Sequence, residues 1–141
     1  MPLVRRFTVR AAADLLATVV STTLACPCAG ARQFNFHLRA GDSTNPVAAS
    51  IQLAGGAAGV WFNPPTGYTS VGAAAANNLS LGGYIMTLFP PVNGLVGWKY
   101  ARMSVTGHAT ITIPALVIDA EVLYDNEYAF QLGQLASEQA V

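Results

Sequence analysis

Residues 96–124 read V-G-W-K-Y-A-R-M-S-V-T-G-H-A-T-I-T-I-P-A-L-V-I-D-A-E-V-L-Y, almost all β-branched, aromatic or alternating. Trp98, Tyr100, Arg102 and Ser104 fall on one face of a strand, and Lys99, Ala101, Met103 and Val105 on the other. The chain breaks at Thr106-Gly107-His108. Ile111 and Ile113 then oppose Thr110 and Thr112 before Pro114 interrupts the ladder. Leu116, Ile118, Ala120, Val122 and Tyr124 make a second stripe, set against Asp119 and Glu121. The pattern is that of antiparallel β structure, here a hairpin, and the rest of the chain has to fit around it.

Composition sharpens this. The 141 residues are enough for one domain with a real core. Hydrophobic residues make up 52% and charged residues only 10%, far below the roughly 25% usual for soluble domains. Seven acids and seven bases cannot keep a free monomer's surface wet, and their zero net charge removes colloidal repulsion. Much of the surface is therefore expected to be covered. The charges are also segregated. Residues 1–40 carry Arg5, Arg6, Arg10, Arg32 and Arg39 against Asp14, whereas Lys99 and Arg102 are followed by Asp119, Glu121, Asp125, Glu127 and Glu138. Opposite ends of this kind can pair within a chain or between neighbours. Five arginines offset by an acidic end make a poor nucleic-acid footprint, so no direct nucleic-acid partner is expected.

The N-terminus imitates a secretion signal: Arg5 and Arg6 precede an apolar run that ends in Leu24-Ala25-Cys26. Arg10 and Asp14 interrupt that run, however, and Thr23 stands where a lipobox has an aliphatic residue, so the segment reads as retained. No stretch has 18 uninterrupted apolar residues, and the aromatics are not arranged as the girdles of a membrane barrel. The expectation is a soluble protein with no membrane partner, made in a bacterial-type cytoplasm. Cys26-Pro27-Cys28 is the entire cysteine content. One intervening residue makes a strained disulfide ring, and only His37 is a nearby additional metal ligand, so free thiols and no metal are expected.

Taken in order, residues 1–10 suit an arm or edge strand. Ala11 to Leu16 allow a helical turn, and the β-branched run from Thr18 favours a strand. Phe34, Phe36 and Leu38 alternate with Gln33, Asn35, His37 and Arg39 in a clear strand. A turn-rich loop over 41–46 leads to a strand over 47–53. Residues 63–78 read as a long surface loop, 79–89 as a strand with a bulge at Gly82 and Gly83, and 90–94 as a turn. Residues 127–141 read as a tail in which Gly133 weakens the helical spacing of Tyr128, Leu132 and Leu135. The fold class is all-β: a single-domain antiparallel β-sandwich over 1–141, jelly-roll-like, with eight or nine short strands, an N-terminal arm over 1–10 and a C-terminal tail over 127–141.

No chemistry emerges. His37 lies on a polar strand face and His108 in a turn, and no nucleophile elbow, zinc-protease helix or phosphate loop occurs. Asp119 and Glu121 have the spacing of a carboxylate pair, but their expected role is to keep a strand face wet or meet a partner's arginine. Trp61, Tyr68, Trp98 and Tyr100 could form a sugar platform, yet aromatics in a sandwich more often anchor cores or interfaces. We expect no enzyme, no catalytic residue and no cofactor.

The strand-dense, charge-poor body, basic start and 127–141 tail resemble the small cement or decoration proteins of tailed-bacteriophage capsids, those of Bordetella phages among them. The resemblance is one of size, composition and layout, and it carries over no site residue. It implies a virion protein on the capsid exterior, bound to the major capsid protein and to itself, as a homodimer rather than a trimer. Interface residues expected on this basis are Arg5, Arg6, Arg10, Trp98, Arg102, Asp119 and Glu121. A tail or neck subunit and a carbohydrate-binding sandwich are the alternatives.

Overall fold

Antiparallel strand pairs nest inside one another in this chain, and the nesting defines the architecture. The computed structural model describes residues 2–41, 47–55, 60–64, 69–71, 75–76, 84–89 and 98–138. Their strands are β1 (Leu3–Leu15), β2 (Val20–Thr22), β3 (Cys26–Pro27), β4 (Gln33–Arg39), β5 (Val47–Ala54), β6 (Thr69–Val71), β7 (Ala75–Ala76), β8 (Tyr84–Phe89), β9 (Tyr100–Thr106) and β10 (Ile113–Tyr124). One helix follows, α1 (Glu127–Glu138). Strand β5 pairs with β7, β4 with β8, β2 with β9 and β1 with β10. Rolling this nest sets β10 beside β4 and β9 beside β5. The result is sheet A, in the order β1-β10-β4-β8-β6, and sheet B, in the order β2-β9-β5-β7, with β3 also on β9. This is the double-sheet winding of a jelly roll.

The core is made by the alternation visible in the sequence. Sheet A turns Phe34, Phe36, Leu38, Leu116, Ile118, Ala120, Val122 and Tyr124 inward, and sheet B turns Val47, Ala49, Ile51, Leu53, Ala101, Met103 and Val105 inward, all buried. Phe34 and Phe36 have ring centres 4.8 Å apart. Ala120 lies between Phe7 and Phe36 in the ladder, a small residue between two large ones.

Four expectations need correction. Residues 96–124 do not form a hairpin: β9 belongs to sheet B and β10 to sheet A, and 107–112 is the crossing between them. Alternation alone cannot tell a strand that folds back from one that changes sheets. The start of the chain is an edge strand, and β1 continues through Leu15 where a helical turn was expected. Register shifts after Thr8 make its second half irregular, and Arg10 fills the gap by donating to the carbonyls of Ala13 (2.8 Å) and Leu116 (2.6 Å). The tail contains helix α1. Its Asn126 Oδ1 accepts from the Ala129 amide at 2.8 Å, so the Asp125-Asn126 strand break is also a helix N-cap. Phe130 then packs edge-on against Tyr124 at 5.1 Å. Within the long loop expected over 63–78, β6 and β7 are short strands. The turns at 42–46 and 90–94, Gly82, Gly83 and Tyr68 lie outside the described residues.

Cys26 and Cys28 are free and buried, as expected. Burial pushes the Cys26 thiol up to about 12, against a smaller opposing pull from Arg5. Burial and then the neighbouring Cys26 push Cys28 up as well. Burial, followed by the two thiols, moves the Tyr124 phenol up to about 12. Groups whose folded values are raised contribute stability that is complete below their unfolded values, 9.0 for the thiols and 10.0 for Tyr124, and lost as pH rises through the folded ones. The urea midpoint is thus expected to hold from pH 7 to about 8.5 and to fall steeply above about pH 10. A Cys26→Ala/Cys28→Ala variant should show a shallower fall. An equal fall in both would show that the thiols play no part.

Candidate interaction surfaces

Charge is divided between the two sheets. The strands of sheet A contain Arg5, Arg6, Arg10, Asp14, Arg39, Asp119 and Glu121, whereas the described strands of sheet B contain a single charged residue, Arg102.

On the outer face of sheet A the ladder sets Arg6 beside Glu121 and Asn35 on its far side, and Thr8 beside Asp119 with His37 beyond. Arg6 Nε donates to Glu121 Oε2 at 2.9 Å, and Asn35 Nδ2 to Oε1 at 2.9 Å. Gln33 Nε2 donates to Asn35 Oδ1. Thr8 Oγ1 reaches Asp119 Oδ1 at 2.9 Å and Arg39 reaches Oδ2 at 2.8 Å. Each carboxylate therefore receives an arginine and a neutral donor from opposite flanks. Burial pulls the Glu121 carboxyl upward, but the bonds from Arg6 and Asn35 outweigh it and hold it below its ordinary value. A carboxylate saturated in this way is a weak proton acceptor at neutral pH. His37 completes the row, its Nε2 buried with no hydrogen-bond partner among the described residues.

Asp119 and Glu121, expected to keep a strand face wet or meet a partner's arginine, meet this chain's own Arg39 and Arg6, while Arg102 belongs to the other side of the sandwich. The arginines at the start of the chain are likewise engaged within it. Arg6 is ion-paired, Arg10 bonds carbonyls, and Arg5 lies over the rings of Phe7 (5.4 Å) and Phe130 (4.9 Å).

The outer face of sheet B has a different character. The register aligns Val20, Thr106 and Ala48 in one row, Thr22, Ser104 and Ser50 in the next, and Arg102 with Gln52 beyond them. These are small, uncharged side chains, flanked at the β2 edge by exposed Val20 and Leu24 (63% and 70% of their surface). At the other end Arg102 Nε donates to Gln52 Oε1 at 2.8 Å, and its guanidinium carbon sits 4.3 Å from the centre of the Trp61 ring. Phe62 is fastened to Leu53 by two backbone bonds of 2.8 Å and lies 5.9 Å from Trp98, which packs on the core. Sequence reading found Trp98 and Arg102 but missed Trp61 as the partner of Arg102, because a contact between β9 and a loop 41 positions earlier in number leaves no local trace. It also missed Val20 and Leu24, whose apolar character reads as core.

Among the described residues no three or more histidine, cysteine or acidic side chains cluster as a metal site, and no helix is long and apolar enough to cross a membrane.

No family model and no curated protein matches the sequence. Among solved structures the fold is similar to that of the SPBc2 prophage-derived protein YomS, at 14% identity and a TM-score of 0.54, over 87% of this chain and 95% of that one. It is also similar to the structure of infectious bursal disease virus, Gx strain, at 11% identity and a TM-score of 0.50. That match covers 87% of this chain and 32% of the other, so this chain spans about a third of its length. At these identities the likeness is one of fold.

Proposed function

We propose that this chain is a virion structural protein, and more narrowly a cement or decoration protein of a phage capsid. The outer face of sheet B lies on the major capsid protein and the charged face of sheet A points to solvent. The observation that carries this reading is the segregation of charge. Sheet A neutralises its own acids and stays wet, while the described strands of sheet B offer water one charged residue and a row of Val20, Thr106 and Ala48. A β face of small side chains with so little charge is suited to burial against protein. Fold likeness to a prophage-derived protein and to part of a virus structure supports the reading. On this reading the protein sits on the capsid exterior after synthesis in the host cytoplasm, as a homodimer, with no catalytic role.

A sugar platform is less well supported. Arg102 already stands over the Trp61 ring, where a sugar would need to stack.

Val20→Asp/Ala48→Asp tests the reading. Both positions are exposed on the outer face, so the free protein should keep its melting temperature. Binding to purified shells of the phage that carries the gene should weaken by roughly 100-fold, the loss of about 3 kcal/mol of apolar burial and desolvation. Unchanged shell occupancy would remove sheet B as the docking face.

A further inference from the structure

We infer that Arg102 is a preformed receptor for a carboxylate, and that the protein surface seated on sheet B presents an aspartate or glutamate to it. This inference deepens the docking reading above and rests on it for the choice of face. Arg102 is held on two sides: its Nε donates to Gln52 Oε1 at 2.8 Å, and the guanidinium carbon lies 4.3 Å from the centre of the Trp61 ring. A guanidinium fixed in this way loses little side-chain freedom on binding, and its two terminal nitrogens remain as a fork of donors. Those nitrogens have no hydrogen-bond partner among the described residues.

Among the described residues no acid comes to them either. Asp119 and Glu121 are bound to Arg39 and Arg6 on sheet A, Asp125 lies 3.9 Å from Arg32, and Asp14 accepts from the Ala115 amide. The described strands of sheet B hold no acid. A cation that is oriented, backed by tryptophan and ringed by small neutral residues such as Ser50 and Ser104 has the makeup of an interface hot spot. Its complement is a single carboxylate on a flat protein surface. A phosphate or sulfate group would favour several cations, and the strands of this sheet provide one.

The probe is poly-L-glutamate, titrated into the purified full-length protein at low salt while tryptophan fluorescence is followed. Poly-L-glutamate is expected to shift the emission saturably, with the effect weakened at least roughly tenfold in Arg102→Gln and partly restored in Arg102→Lys, whose ammonium lacks the fork. Arg6→Gln, which removes a cation already paired with Glu121, should bind as the wild type does. The inference is overturned if Arg102→Gln binds poly-L-glutamate unchanged, or if Arg6→Gln loses as much. It is equally overturned if heparin or inorganic phosphate binds Arg102 more tightly than poly-L-glutamate, which would make it a general anion site. None of these outcomes involves shells. A lost fluorescence response with normal shell binding would sink the receptor and leave the docking face standing, and the reverse result would sink the docking face and leave Arg102 a carboxylate receptor with no shell surface seated on it.

Discussion

Phe36→Ala is expected to cost about 3–5 kcal/mol and to lower the melting temperature by roughly 10–15 °C. Phe36 is fully buried at the middle of β4, with Ala120 of β10 on one side of the ladder and Met86 of β8 on the other. Its ring is 4.8 Å from that of Phe34. Strand β4 is central in sheet A, so neither neighbouring strand can move inward to fill the space without breaking a ladder. The lost transfer free energy and the remaining cavity therefore add. Phe36→Leu keeps most of the volume and should cost less than half as much. Differential scanning calorimetry decides the matter, and a loss below about 1.5 kcal/mol for the alanine variant would mean that the core is packed differently.

Gly107→Ala should be nearly as damaging, for the opposite reason. Gly107 begins the crossing from sheet B to sheet A, and an added Cβ would meet the Leu16 carbonyl oxygen, its carbon at 3.2 Å and the Thr18 amide nitrogen at 3.3 Å. All three are backbone atoms, and they are clamped in place. Gly107 donates to the Val19 carbonyl and Thr18 donates to the His108 carbonyl, each at 2.9 Å, and Thr18 is held at φ 65°. Making room separates two segments and strains both bonds, at about 3 kcal/mol in total. Gly55→Ala is the internal control: its Cβ would meet nothing within 4 Å, and the change should be close to neutral. Equal melting temperatures for the two variants would contradict the close approach at the crossing.

The inward residues of β4, β5, β9 and β10 were legible in the sequence, because a strand buried on one face has to alternate with a period of two. Phe34, Phe36 and Leu38 could be assigned to the core from that rule alone. The destination of each strand was not legible. The break at Thr106-Gly107-His108 looks the same whether the next strand folds back or crosses to the other sheet, and here it crosses. Helix α1 was obscured by Gly133, and its start was marked by Asn126, a residue equally at home in a turn.

The interaction surfaces divide in the same way. Arg102, Asp119 and Glu121 were found because charges are scarce in this chain. Their partners were not found, because Arg6, Arg39 and Trp61 reach them only through the sheet register or a loop contact between distant segments. Scarcity of charge was visible in the composition. Its concentration on one sheet became visible only when the strands had been sorted into layers.

The most direct measurement is a cryo-EM reconstruction of particles in which this chain is proposed to sit. The account predicts symmetrically arrayed copies on the outside of the capsid, with Val20, Ala48 and Arg102 against the shell and the Arg6–Glu121 and Arg39–Asp119 pairs facing solvent. A chain found in the tail or neck, absent from the particle, or seated on the shell through sheet A would contradict it.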